Sequence, residues 1–239
     1  RFKGEGSLAG HSLGNLILLA LADLTGSWVA AIRQISGILV TAGRLYPSTL
    51  VPVTLFAEDM EGRRYCGETA VNDSHPPMSR IWMEPREVEP LPEALLAILQ
   101  ADLILLAPGS LYTSTLPNLL IAELQQALKR AGAPLVYVAN IMTELGESAG
   151  MDLEAHVASL QAFGGVPIHA VIANTTPLPV AMASRYREAG GAQLRASGAR
   201  ACGAPIHGFP LLDEAAPVAR HHPALLNQAI RDVIRTLPS

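Results

Sequence analysis

Three stretches of this sequence place amide, hydroxyl and glycine residues directly after short apolar runs. Pro108-Gly109-Ser110-Leu111-Tyr112-Thr113-Ser114 follows Asp102–Ala107, Asn140-Ile141-Met142-Thr143-Glu144 follows Leu135–Ala139, and Asn174-Thr175-Thr176 follows Ile168–Ala173. The first loop, from Pro108 to Asn118, is the richest. Gly109 lets a ligand approach the backbone closely, and Ser110, Thr113 and Ser114 supply hydroxyl donors. Pro117 suits the first turn of a helix, whose positive N-terminal end favours an anion. Such chemistry suits phosphate, yet the loop has neither a Walker lysine nor G-x-G-x-x-G spacing. The competing account is an ordinary loop that opens a helix and is capped by its own Ser and Thr.

Other clusters are weaker. Gly10-His11-Ser12-Leu13-Gly14 matches the G-x-S-x-G nucleophile elbow, and Asp213 and His221 follow in the usual triad order. An elbow needs a buried strand before its serine, and Phe2–Ala9 is rich in glycine and charge. Ser12 therefore reads as a helix cap, with His11 and Asn15 one turn apart on the same side; a serine hydrolase using Ser12 is the remote alternative. The seven histidines form no H-x-x-x-H or H-E-x-x-H pattern, and His221-His222 reads as a solvated pair at a helix start. Glu144 and Glu147 bracket Gly146 and could hold a metal or a hydroxyl, but a solvated turn is the expectation. Arg185 and Arg187 on one helix, and Arg220 before the last, are the candidate phosphate ligands. Cys66 and Cys202 lack C-x-x-C spacing and read as reduced thiols.

The elements that must position these residues follow from hydrophobic periodicity. Helices are expected from Ser12 to about Leu24 and from Ser27 to about Val40. Arg44–Tyr46, Leu50–Ala57 and Arg64–Asn72 read as strands, the last two joined by an acidic turn at 58–62, and Asn72–Pro77 as a turn. From Pro92 the rhythm is regular: helix Pro92–Gln100, strand Asp102–Ala107, helix Pro117–Ala131, strand Leu135–Ala139, helix Asp152–Phe163, strand Ile168–Ala173, a helix to about Ala189, a short strand near Ile206–Phe209 and helix Pro223–Leu237. Apolar strands alternating with amphipathic helices imply an α/β fold, a mostly parallel sheet covered on both faces. Ligands of such sheets bind at the strand carboxyl ends, where the three polar loops fall. A single domain over 1–239 is expected, with a β-rich subregion at about 43–90.

Composition narrows the classes. Of 239 residues, 49% are apolar and 16% charged, so the chain can bury a large core and is not a disordered one. A net charge of −4 with scattered basic residues gives no case for nucleic acid. The longest apolar runs are too short or broken, by Asp23 in one and by Arg44, Pro47 and Pro52 in the other, so no membrane span is expected. No signal peptide is visible; a cytoplasmic location and a homo-oligomer are expected.

Read together, G-H-S-L-G-N-L (10–16), A-D-L-I-L-L-A-P-G-S-L-Y-T-S-T-L-P-N-L-L (101–120) and Y-V-A-N-I-M-T-E-L-G-E-S (137–148) resemble the CofD-like family, in its gluconeogenesis-factor (YvcK) group, over essentially the whole chain. The resemblance implies a Rossmann-like three-layer α/β/α fold. It also implies a regulatory protein that binds a nucleotide sugar such as UDP-N-acetylglucosamine and is linked to cell shape and to central carbon and cell-wall metabolism. The alternative is a CofD-type phosphotransferase, like the metal-dependent 2-phospho-L-lactate transferases. Ligand contacts carried over are Gly109, Ser110, Thr113, Ser114 and Asn118, then Asn140 and Thr143, His11 and Asn15 at the first helix, and Arg220, which stands in Arg-His-His-Pro where the family pattern is nearer Arg-His-Asp. The family's Gly-rich G-G-G-T-G turn and D-D-G-G-S-S-G segment are not in this sequence. No catalytic residue, cofactor or metal ligand is therefore assigned, and a divalent metal is expected only if such a segment precedes these residues.

Overall fold

The structure, a computed structural model, describes residues 5, 6, 9, 11–38, 42–74 and 77–237. It opens with a helical hairpin, α1 (Leu13–Thr25) and α2 (Trp28–Ile38), turned by Gly26 at φ 65°. Ser12 stands at the N-cap in extended conformation, but its side chain makes no capping bond. Much of the apolar surface of α1 faces outward, with Leu13, Ile17, Leu19 and Leu24 all exposed.

A three-stranded antiparallel sheet follows: β1 (Thr54–Asp59), β2 (Arg64–Cys66), a short helix α3 (Glu68–Asn72) and β3 (Met78–Glu84), in the order β2-β1-β3. Alternation buries Leu55, Ala57 and Asp59 on one face of β1, and Met78, Ile81 and Met83 on β3. Several expected strands differ here. Among the described residues Arg44–Tyr46 joins no ladder; Pro47 offers no donor, and an isolated bridge from Thr49 to Pro90 lies just beyond it. The strand expected from Leu50 begins at Thr54, past Pro52, which also lacks a donor. The strand expected through Asn72 stops at Cys66, because Gly67 at φ 87° turns the chain into α3. Strand β3 lies in a stretch for which the sequence reading placed no element.

The second half is the expected regular alternation: α4 (Pro92–Leu99), β4 (Ile104–Leu106), a single π-helical turn (Leu111–Thr115), α5 (Leu116–Leu119), α6 (Ala122–Arg130), β5 (Leu135–Val138), α7 (Leu153–Gly164), β6 (Ala170–Asn174), α8 (Val180–Glu188), β7 (Arg200–Ala201), β8 (Ala204–Phe209) and α9 (Pro223–Ile234). The sheet order is β4-β5-β6-β8-β7; the first four are parallel and β7 turns back on β8 as a hairpin. Leu135, Tyr137, Ala139, Val171 and Ala173 face a core shared with α5, α6, α7 and the small sheet. Val136, Val138, Ala170 and Ile172 face Ala229 and Val233 of α9 on the other side. This is a Rossmann-like α/β/α sandwich. The helix expected from Pro117 to Ala131 is in fact interrupted at Leu120–Ile121, with Ile121 extended at ψ 111°. Gln125 braces the start of α6 against the end of α7, its side-chain amide donating to the carbonyl of Gly164 at 2.7 Å. No helix among the described residues is long and apolar enough to cross a membrane.

Candidate functional site

Parallel strands leave all their carboxyl ends on one side of a sheet, and the backbone groups there have no further strand to pair with. In this chain asparagines close those ends. Asn140, just past β5, accepts from the Gly109 N–H at 3.0 Å and donates to the Gly109 carbonyl at 2.9 Å, which pins the loop leaving β4. Asn174, at the end of β6, accepts from Leu211 N–H at 3.0 Å and donates to the Thr176 carbonyl at 2.9 Å. Thr143 is a third tie: its hydroxyl accepts from Ala192 N–H at 2.9 Å and its own N–H donates to the Ala192 carbonyl at 2.8 Å.

Between these ties opens a cleft of about 560 Å³ lined by Gly109, Asn140, Thr143, Tyr186, Arg220 and His221, among others. Four of the expected ligand residues, Gly109, Asn140, Thr143 and Arg220, therefore meet around one space. Arg220 is exposed, and no carboxylate among the described residues pairs with it. His221 is half-buried, not solvated; burial lowers its pKa, and its Nε2 has no partner within the chain. His222 likewise keeps a buried Nδ1 without a partner. The hydroxyl of Tyr186 accepts from Ala219 N–H at 3.0 Å and so ties α8 to the segment before Arg220.

The loop after Gly109 is built differently from the expectation. Its helical winding begins at Leu111, ahead of Pro117, with Thr115 N–H bonded to the Ser110 carbonyl at 2.9 Å. The N–H groups at the start of this winding, those of Tyr112 and Thr113, donate to the carboxylate of Glu147, at 2.7 Å for Thr113. Glu147 is fully buried. Nothing in its local sequence distinguishes it from a solvated turn residue. The tertiary reason lies in Gly146, at φ 81°: a Cβ there would stand 2.3 Å from the carbonyl oxygen of Asn72, so only glycine lets the turn tuck under the loop. Ser110 donates to Glu144 at 2.7 Å, and the Glu144 carboxyl lies within hydrogen-bonding reach of Glu147. Burial, with Glu144 beside it, pushes the Glu147 carboxyl up to about 7 against the pull of the two N–H groups.

The remaining candidates lie elsewhere. Ser114 and Asn118 line an adjoining depression along the exposed edge of β4, which shares Pro108 and Gly109 with the cleft; there Asn118 donates to the Ser114 carbonyl at 2.8 Å and accepts from Ser48. His11 and Asn15 are exposed at the start of α1 and line neither space, and neither does Ser12. Gly10 lies outside the described residues. Of the two helix arginines, Arg185 donates to the Pro217 carbonyl at 2.8 Å, whereas Arg187 lines a second cleft next to the first.

Comparison with known proteins agrees with this architecture. Residues 1–206 match the family model described as 2-phospho-L-lactate transferase CofD. The gluconeogenesis factor of Bacillus subtilis is 37% identical over 187 residues, 78% of this chain and 59% of that protein, so the chain matches little more than half of that relative's length. A relative from Aquifex aeolicus is 35% identical over 98% of this chain and 73% of its own length. The crystal structure of protein BH3568 from Bacillus halodurans superposes with a TM-score of 0.89 at 29% identity, covering 97% of this chain and 75% of that one. Extending over most of its length, these likenesses show that the chain belongs to the CofD family.

Proposed function

We propose that this chain is a regulatory protein of the gluconeogenesis-factor type, and that it binds a nucleotide sugar of the UDP-N-acetylglucosamine kind in the strand-end cleft. The observation that carries the reading is the meeting of Gly109, Asn140 and Arg220 around a space of about 560 Å³, within the range of small-molecule sites. Arg220 offers a planar donor set to a phosphate, and the pinned Gly109 leaves the loop wall free of a side chain. Cell shape and the balance between central carbon and cell-wall metabolism are the processes such a sensor would serve.

Titration calorimetry with UDP-N-acetylglucosamine tests it. Arg220→Ala should weaken binding by about tenfold or more, the scale of one lost charge-assisted contact. Equal affinity in wild type and variant, or no binding by either, would sink the assignment.

The description of the matching family model favours a second reading, a CofD-type phosphotransferase. Transfer in that family's enzymes calls for a divalent metal. Among the described residues no three His, Cys, Asp or Glu side chains converge on a point that could hold one, so these residues do not fit a metal site. Metal-dependent transfer from a nucleotide-activated phosphoacid, measured directly, decides between the two.

A further inference from the structure

The cleft that holds Arg220 does not end at Gly191. Past the shared wall of Met142 and Gly191 lies a second cleft of about 310 Å³, and past Pro177, Gln193 and Arg195 a third hollow of about 250 Å³ runs on to Gly208 at β8. The three form one band across the carboxyl ends of the sheet, and their charges differ. The first cleft is lined by Glu144 as well as Arg220. The second and third are lined by no acidic residue at all; their charged side chains are Arg187 and Arg195.

Among the described residues, neither guanidinium group has a carboxylate partner. The ion pairs among the described residues take up Arg63, Arg64 and Arg235, all away from this band. Acidic residues outnumber basic ones here, 21 to 17, so two cations without a counter-charge on one concave wall mark a locally positive surface on a net negative chain. The wall behind them is fixed. The Gln193 side chain donates to the Thr176 carbonyl at 2.7 Å and accepts from Leu178 N–H at 3.2 Å, and a bridge joins Met142 to Gln193. With its amide committed in this way, Gln193 shapes the hollow and leaves recognition to the two arginines.

We infer that this second cleft is an oxyanion subsite that takes a phosphate group between Arg187 and Arg195. Arginine suits the task, because its planar fork of donors matches phosphate oxygens two at a time. The phosphate has two sources: a distal group of a ligand reaching over from the first cleft, or a separate phosphorylated molecule bound beside it.

Inorganic pyrophosphate is the probe, titrated calorimetrically against the full chain at low ionic strength. Binding should weaken about tenfold or more in Arg187→Gln/Arg195→Gln and partly recover in the double lysine variant. Because both arginines are exposed, the variants should melt at the wild-type temperature. Saturating UDP-N-acetylglucosamine then separates the sources: it blocks pyrophosphate if the nucleotide sugar's own phosphate fills the subsite, and leaves it bound if the subsite serves a second molecule. Absence of pyrophosphate binding, or binding that survives the double glutamine variant, overturns the inference. Failure of UDP-N-acetylglucosamine to bind, with pyrophosphate still dependent on Arg187 and Arg195, removes the nucleotide-sugar reading and leaves this one standing.

Discussion

Two carboxylates are buried in this molecule in opposite ways. Asp59 ends β1 of the small sheet, 1% exposed, and is surrounded by donors: Arg63 Nε at 2.6 Å, the Tyr65 hydroxyl at 2.8 Å, and the N–H groups of Glu61 and Arg63 at 3.0 and 2.9 Å. Burial alone would raise its pKa, but the bonds from Arg63 and Tyr65 override this and hold the carboxyl down to about 2. Glu147, beside the strand-end cleft, has two N–H donors and no cation; its neighbour is another carboxyl, and burial drives it up to about 7. The first group is neutralised by a partner from its own hairpin and serves stability. The second is left to change charge near neutral pH under the loop that lines the candidate site. Perturbed acids of this kind gather at functional sites because a buried charge without a counter-charge is costly for a fold that needs only stability.

Removing either carboxylate sharpens the contrast. Asp59→Ala should cause the largest loss of stability, since it strands Arg63, Tyr65 and two N–H groups at once; denaturant unfolding at pH 7 measures it. Because the folded pKa lies below the unfolded one, Asp59's contribution is present above about pH 4 and disappears as the pH falls towards 2.

Glu147 carries the opposite sign. A folded pKa above the unfolded value favours the fold at low pH, so wild-type stability should fall as the pH rises from about 4.5 to 7. Glu147→Gln keeps the acceptor for Tyr112 and Thr113 but cannot ionise. It should be more stable than wild type at pH 8 by on the order of 1–3 kcal/mol and nearly equal to it at pH 5. A variant that loses stability at both pH values would mean that Glu147 is simply another Asp59.

The smallest effect is expected at the clamp. Asn140→Ala removes two hydrogen bonds to Gly109 and should cost about 1–2 kcal/mol in chemical unfolding, while loosening the cleft wall and weakening the proposed nucleotide-sugar binding.

Much of the second half was legible from residue order. The apolar runs at 135–139 and 168–173 became central strands within two residues of the expected limits, because a strand covered on both faces must be apolar throughout. The small sheet was less so: single residues such as Gly67, Pro47 and Pro52 decided where pairing started and stopped, and β3 interrupts its buried positions with exposed Ser79, Arg80 and Glu84. At the site, Asn140, Thr143 and Gly109 were found from their place after strands. His221 and Glu147 were taken for solvated residues, since burial depends on what the rest of the chain lays over them.

Sequence alone was enough to establish the alternation of strands and helices, the side of the sheet on which polar loops would cluster, and the likeness to the CofD family. Local periodicity and ordered motifs carry that information without reference to distant residues. Which polar groups face the cleft was decided only by tertiary structure. Thr143 is committed to Ala192, and Glu147 to Tyr112 and Thr113, through contacts between residues 34 to 49 positions apart. A hydrogen bond formed inside the chain is no longer free for a ligand. The loop opening at Pro108 thus reads as a donor-rich anion site from its residues, and folds into one whose best-placed donors already hold an internal carboxylate.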